Sequence, residues 1–222
     1  MTRFLFAAAA LAVAAPAAAQ EIDSPYRYLE ETKALGGYGG YLWTGRGEIG
    51  AGPAPAPLAG LRFSVRFAGP AYGDFRLGFS PSERTVYRAA EPGDTTLVKV
   101  GTASAPLVIA EAGLRFQVTG PRSWRKLAPY LAASGALAAD LGRGDDFEEE
   151  VPEDERFDFG PALAVGVAAG TDWYLSERLS LNLELRDYIW RLQVPDGLRA
   201  AASEERQWIN NLALTVGAAL HF

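Results

Sequence analysis

Hydrophobic and polar residues alternate along most of this chain. In its clearest stretch Leu61, Phe63, Val65 and Phe67 hold one parity, and Arg62, Ser64 and Arg66 the other. Period-two alternation places successive side chains on opposite faces of a β-strand. After a turn over 69–74, Phe75, Leu77 and Phe79 oppose Arg76, Gly78 and Ser80. Val108, Ala110, Ala112, Leu114, Phe116 and Val118 then oppose Glu111, Gly113, Arg115, Gln117 and Thr119. Leu179, Leu181, Leu183 and Leu185 stand against Ser180, Asn182, Glu184 and Arg186. The chain closes with Leu212, Leu214, Val216, Ala218, Leu220 and Phe222 against Ala213, Thr215, Gly217, Ala219 and His221. Three more segments complete the set. Residues 36–44 are rich in glycine and aromatics, and 129–140 are alanine-rich with ambiguous facing. In 157–171, Phe159, Leu163, Val165 and Val167 face away from Gly160, Ala162, Ala164 and Gly166. The pattern predicts eight strands.

The connections carry their own signal. Short turns follow the second, fourth and sixth strands (69–74, 120–128, 172–178), while longer polar loops follow the first, third, fifth and seventh. Each clear strand reaches the roughly 9–11 residues that a tilted strand needs to cross a bilayer. A sheet in lipid leaves no edge unpaired, so it has to close. The predicted fold is therefore all-β, a closed antiparallel transmembrane β-barrel of eight strands. Its short turns lie on the periplasmic side and its long loops outside.

The start of the chain fits export. Arg3, an apolar run over 4–15 and Ala17-Ala18-Ala19 before Gln20 have the form of a cleaved secretory signal, and the run is too short for a spanning helix. The predicted organisation is a signal peptide over 1–19, a periplasmic segment over 20–35 and the barrel over 36–222. Within the periplasmic segment, Ser24-Pro25 and Gly36 bracket a short helix over 26–35. Two readings stay open for it, a cap on the barrel's lower mouth or a tail. The formal charge of −6 becomes −7 once Arg3 leaves with the signal (20 basic residues against 27 acidic), which speaks against nucleic-acid binding.

The terminal Thr215, Gly217, Leu220 and Phe222 resemble the C-terminal assembly signal of bacterial outer-membrane barrels. The mature chain as a whole resembles the small eight-stranded barrels of the OmpA-transmembrane or OmpX-like kind. That resemblance implies location in the bacterial outer membrane. It also implies partners: outer-membrane lipid and lipopolysaccharide, the barrel-assembly machinery during biogenesis, and an extracellular ligand left open.

Charged residues on the polar parity, Arg62, Arg66, Arg76, Glu111, Arg115, Glu184 and Arg186, are expected to line the lumen. Their mixed signs suit a salt-bridge network, since buried charge is tolerated only when paired. A narrow path for ions or small solutes is the alternative. Trp124 and Trp173 on the periplasmic side, with Trp43, Trp190 and Trp208 on the outer side, are expected to form interface girdles joined by Tyr130, Tyr174 and Tyr188. His221 is the single histidine and faces inward at the periplasmic rim, away from the outer face where barrel enzymes work. Cysteine is absent, no cluster has metal-ligand spacing, and the glycines over 36–40 open no helix. No catalytic residue, metal or cofactor is therefore expected. The expected role is structural, or surface interaction through the extracellular loops. A secreted lipocalin-like barrel, which needs an apolar interior, is a third reading. The acidic run within 144–158 (Asp145, Asp146, Glu148, Glu149, Glu150, Glu153, Asp154, Glu155) is expected to be a solvated loop. Divalent-cation bridging to lipopolysaccharide is a secondary reading. Arg122, Arg125 and Lys126 beside Trp124 suit an anionic phospholipid surface.

Overall fold

A computed structural model describes residues 24–91, 94–142, 150–157 and 159–222. The proposed signal peptide, and Asp145 to Glu149 of the acidic run, lie outside the described residues. Among the described residues twelve strands are present, which we number in chain order. Eight form the barrel: β2 (Lys33–Thr44), β3 (Ala56–Ala68), β4 (Ala71–Ser80), β7 (Leu107–Gln117), β9 (Leu127–Asp140), β10 (Ala162–Tyr174), β11 (Leu179–Gln193) and β12 (Arg206–His221). Each pairs antiparallel with the next. The β2–β12 ladder runs from Ala34↔His221 to Thr44↔Asn211 and closes the ring. That seam depends on glycine. A side-chain carbon at Gly36 or Gly40 would collide with the backbone of Ala218 or Leu214, so no larger residue lets the first and last strands approach.

Strand alternation sorts the side chains as the periodicity predicts. Leu61, Leu77, Leu114, Leu131, Leu163, Val165, Leu183 and Val216 all point outward and are exposed. An apolar belt of this extent is not stable against water and requires lipid. The opposite parity is buried and carries arginines and carboxylates. This inversion excludes the lipocalin-like alternative. Alanine-rich β9 resolves as well: Ala128, Tyr130, Ala136 and Ala138 point inward, Leu131 and Leu137 outward.

Four shorter strands lie off the barrel ring. Between β4 and β7, β5 (Glu83–Ala89) and β6 (Leu97–Ser104) form a hairpin. Val86, Ala103 and Val151 pack together beside it, and Ala89, Val194 and Leu198 do the same, so the long loops share small apolar clusters. At the short-turn end, β1 (Tyr26–Tyr28) pairs with β8 (Arg122–Trp124). The helix expected over 26–35 is thus not formed. A helix of about ten residues is marginal by itself. Here the extended chain finds partners on the barrel rim instead: Leu29 N donates to Pro121 O (3.0 Å), and Arg66 donates to Leu29 O (2.7 Å) and Glu30 O (3.1 Å). β2 starts at Lys33, three residues ahead of the expected boundary. Because β8 adjoins β9 and β9 lies across the ring from β2, residues 29–32 cross the short-turn mouth.

Candidate functional site

The lumen commits many charged groups to burial. Among the described residues, Arg62, Arg76, Arg115 and Arg186 interleave with Asp74, Glu111, Asp172 and Glu184, a balanced set. Register determines why carboxylates are needed there. The β3–β4 ladder sets Arg62 opposite Arg76 on the inner wall, and directly opposed like charges repel. Arg62 Nε meets Asp74 Oδ1 at 2.8 Å, with Ser64 Oγ donating to the same oxygen at 2.7 Å. Arg76 instead reaches across the ring from β4 to Glu184 on β11. Arg186 binds Glu184 Oε1 through Nε at 2.9 Å and pairs with Glu111 on β7. Arg115 binds Asp172 Oδ2 at 2.5 Å.

Neutral groups complete the network. The Tyr130 hydroxyl donates to Glu184 Oε2 at 2.8 Å and accepts from Arg62 Nη1 (3.2 Å) and Asn182 Nδ2 (2.8 Å), which uses its one donor and both lone pairs. Tyr188 donates to Glu111 Oε2 at 3.0 Å. The guanidinium of Arg76 lies 4.2 Å from the Tyr38 ring centroid, and that of Arg115 lies between Tyr72 (4.5 Å) and Tyr130 (4.9 Å). Contacts that join opposite walls fill the bore, as an eight-stranded barrel allows.

Above this charged layer, toward the long loops, the lumen turns apolar. Leu42, Leu58, Leu107, Ile109, Leu192 and Ile209 surround Trp190, and Phe157 and Phe159 from the loop before β10 pack into the mouth. The two phenyl rings stack at 6.5 Å, and Phe159 lies 5.8 Å from the Trp190 ring. The barrel is closed by a charged middle and an apolar stopper.

Several expected placements change. Trp190 is fully buried and is not an interface aromatic. It shares the parity of Glu184 and Arg186, so it faces the lumen. Tyr130, Tyr174 and Tyr188 are buried for the same reason. Trp43, Trp124, Trp173 and Trp208 are exposed, with Arg191 stacked 4.4 Å over Trp208. Phe159 is buried, because the ladder begins only at Ala162 and the chain before it bends into the mouth. Of the expected lumenal charges, Arg62, Arg76, Glu111, Arg115, Glu184 and Arg186 meet in one network, whereas Arg66 sits lower and holds the N-terminal segment. Asp74 falls in the turn expected over 69–74 and Asp172 in that expected over 172–178, but strands β4 and β10 extend through them. Their parity with Arg76 and Ala164 was the available clue.

The assembly-signal positions divide by face. Thr215 is buried inside, Gly217 packs against the backbone of β2 at Gly37 and Tyr38, and Leu220 and Phe222 are exposed outside. His221 is buried at the rim, its Nε2 2.7 Å from Ser180 Oγ and its ring 4.9 Å from that of Tyr174. In the described part of the acidic run, Glu153–Glu155 form a 3-10 turn, and Glu155 accepts from Ala89 N at 3.2 Å. At the outer rim, Glu48 Oε2 accepts from Ser203 N (2.8 Å), Ser203 Oγ (2.8 Å) and Gln207 Nε2 (3.0 Å). These donors, the Ser203 amide first, hold the Glu48 carboxyl below its ordinary pKa of 4.5.

Comparison with solved structures agrees with this architecture. The Neisserial surface protein A (NspA) superposes with a TM-score of 0.55 at 11% identity, over 90% of this chain and 98% of that one. The outer membrane protein OprG from Pseudomonas aeruginosa superposes with a TM-score of 0.53 at 13% identity, over 86% of this chain and 97% of that one. At such identity the likeness is one of fold, and the fold is the eight-stranded outer-membrane barrel. No family model and no curated protein matches the sequence.

Proposed function

We propose that this chain, an eight-stranded barrel of the outer-membrane fold, is an integral outer-membrane protein with a sealed lumen. Its role is structural or one of surface interaction through its extracellular loops, without catalysis. The observation that carries the proposal is Glu184. Its side chain is wholly buried and tied at once to Arg76, Arg186 and Tyr130 from three other positions on the wall. A conducting bore needs its charges separated by water, whereas these bind one another. The long loops packed into a shared cap then supply the surface that a ligand or lipopolysaccharide meets. The export signal over 1–19 belongs to the same reading, with cleavage before Gln20 and recognition of Thr215, Gly217, Leu220 and Phe222 by the assembly machinery.

The test takes three steps. The extracted protein should migrate faster unheated than boiled, as a closed barrel does. Reconstituted in planar bilayers it should carry no current, and sustained unitary steps would replace this reading with that of a narrow pore. Deleting 141–161 should abolish binding to whole-cell or lipopolysaccharide ligands while leaving the compact band in place.

A further inference from the structure

The short-turn rim carries a concentration of positive charge that the sealed-barrel role does not use. A cavity of about 600 Å³ lies there, within the size range of small-ligand sites. Its walls bring together Arg27 and Tyr28 of β1, Lys126 at the β8–β9 hairpin tip, and Tyr174 and Arg178 around the β10–β11 turn. Three cations face one carboxylate, that of Glu177, in a chain whose formal net charge is −6. Ser123 and Ser176 add hydroxyl donors.

The hairpin tip is built at a cost in backbone strain. Trp124 pairs with Leu127, leaving Arg125 and Lys126 as its two central residues, at φ 49° and 71°. Both are left-handed, the arrangement that Asn-Gly adopts most readily. An arginine and a lysine stand there instead. Strain of this sort persists where the surroundings hold it: Arg125 N donates to Pro25 O at 2.9 Å, and Lys126 O accepts from Tyr174 N at 2.8 Å.

One residue away on each strand, the barrel's outer wall has a matching feature. Leu127, Trp173, Leu181, Leu183, Val216 and Ala218 line an apolar groove of about 570 Å³ on the lipid-facing side. The ladder sets Leu127, Trp173, Leu181 and Ala218 side by side in one row. Lys126 precedes Leu127 and Tyr174 follows Trp173, so the polar cavity on the inner side of the rim and the apolar groove on the outer side flank the same strand ends, and a lipid that fills both passes over the rim between them.

We propose that this rim binds an anionic phospholipid of the periplasmic leaflet, with its phosphate headgroup in the cavity of Arg27, Lys126 and Arg178 and an acyl chain along the Trp173–Ala218 groove. The inference rests on the membrane-barrel reading above. Charge-assisted hydrogen bonds from guanidinium and ammonium groups suit a phosphate, and the small Ala218, next to Leu181 in the row that starts at Leu127 and Trp173, leaves room for a chain on the outer wall.

The full chain, reconstituted in phosphatidylcholine vesicles doped with phosphatidylglycerol, is extracted gently and its retained lipid identified by native mass spectrometry. The parent should retain phosphatidylglycerol in preference to phosphatidylcholine. A cation near an anionic surface is worth roughly fivefold, so the R27Q/K126Q/R178Q variant should lose that preference by on the order of a hundredfold. R88Q/K99Q, on the far hairpin, should leave it intact. Ala218→Trp fills the groove without altering charge and should also lose the lipid. Unchanged preference in the triple variant, or in Ala218→Trp, overturns the proposal. Displacement by soluble glycerol phosphate at equal concentration overturns it too, since the site would then recognise free phosphate. Each variant is checked for the compact unheated band. A parent without that band refutes the membrane barrel itself, whereas a parent with the band and no lipid preference refutes only the site.

Discussion

Replacing Glu184 by glutamine separates a packed lumen from a wet one. Glu184 has no exposed side-chain surface and contacts Arg76 and Arg186, the latter at 2.9 Å. At an effective dielectric near 20, a contact of that length is about 6 kcal/mol of gross attraction, most of it offset by desolvation. Removing one partner of a buried pair typically costs about 3–5 kcal/mol, because the other charge stays behind unpaired. Glutamine keeps an acceptor for one guanidinium, and Arg186 still holds Glu111, so the expected loss is about 3 kcal/mol. With a urea slope of about 1–3 kcal/mol per molar, the unfolding midpoint should fall by roughly 1–3 M. The assay is equilibrium unfolding in detergent micelles, followed by the loss of the fast-migrating band. Arg76→Met with Glu184→Leu removes both charges and should recover at least half of that loss, since apolar replacement of a whole pair is often neutral. An E184Q barrel within about 1 kcal/mol of the parent would mean that water already screens these groups. The sealed-lumen account would then be wrong.

The other predictions probe separate layers. Trp190→Ala should cost about 3–5 kcal/mol by opening a cavity in the stopper, whereas Trp208→Ala, on the exposed side, should cost far less in the same unfolding assay. Gly40→Val should prevent closure of the β2–β12 seam, leaving no compact unheated band, because its side chain would occupy the space of the Leu214 carbonyl. The tie from Glu48 to Ser203 has a pH sign. Its folded pKa is depressed, so its contribution is complete above the unfolded value near 4.5 and is lost as pH falls through the lower folded value. Amide exchange at Ser203 should therefore stay slow at pH 5–7 and quicken only in stronger acid, and Glu48→Gln should blunt that acid dependence.

Much of the barrel was legible because strand periodicity is a local property. Arg62 through Phe67 declare their two faces whatever surrounds them, and the same parity rule carried Glu111, Arg115, Glu184 and Arg186 to the lumen. Errors arose where local signals compete. Asp74 follows Gly-Pro-rich residues and reads as a turn, although it keeps the parity of Arg76. Trp190 reads as an interface anchor by residue type, although its parity puts it inside. Phe159 keeps its parity but precedes the ladder, so the rule no longer applies to it. The segment at 26–28 reads as a helix start because its strand partner, Arg122–Trp124, is nearly a hundred residues away.

Alternation and turn spacing in the sequence determined eight strands, an apolar outside, a charged inside, and the end that carries the long loops. Which charges bind which was decided only by closure. Arg76 reaches Glu184 because the ring sets β4 across from β11, and no spacing along the chain encodes a diameter. Closure likewise brought Lys126, Arg178 and Arg27 to one rim cavity and drew Phe157 and Phe159 into the mouth. Periodicity tells each residue which side of a wall it occupies. What it meets there depends on the curvature and register of the whole sheet.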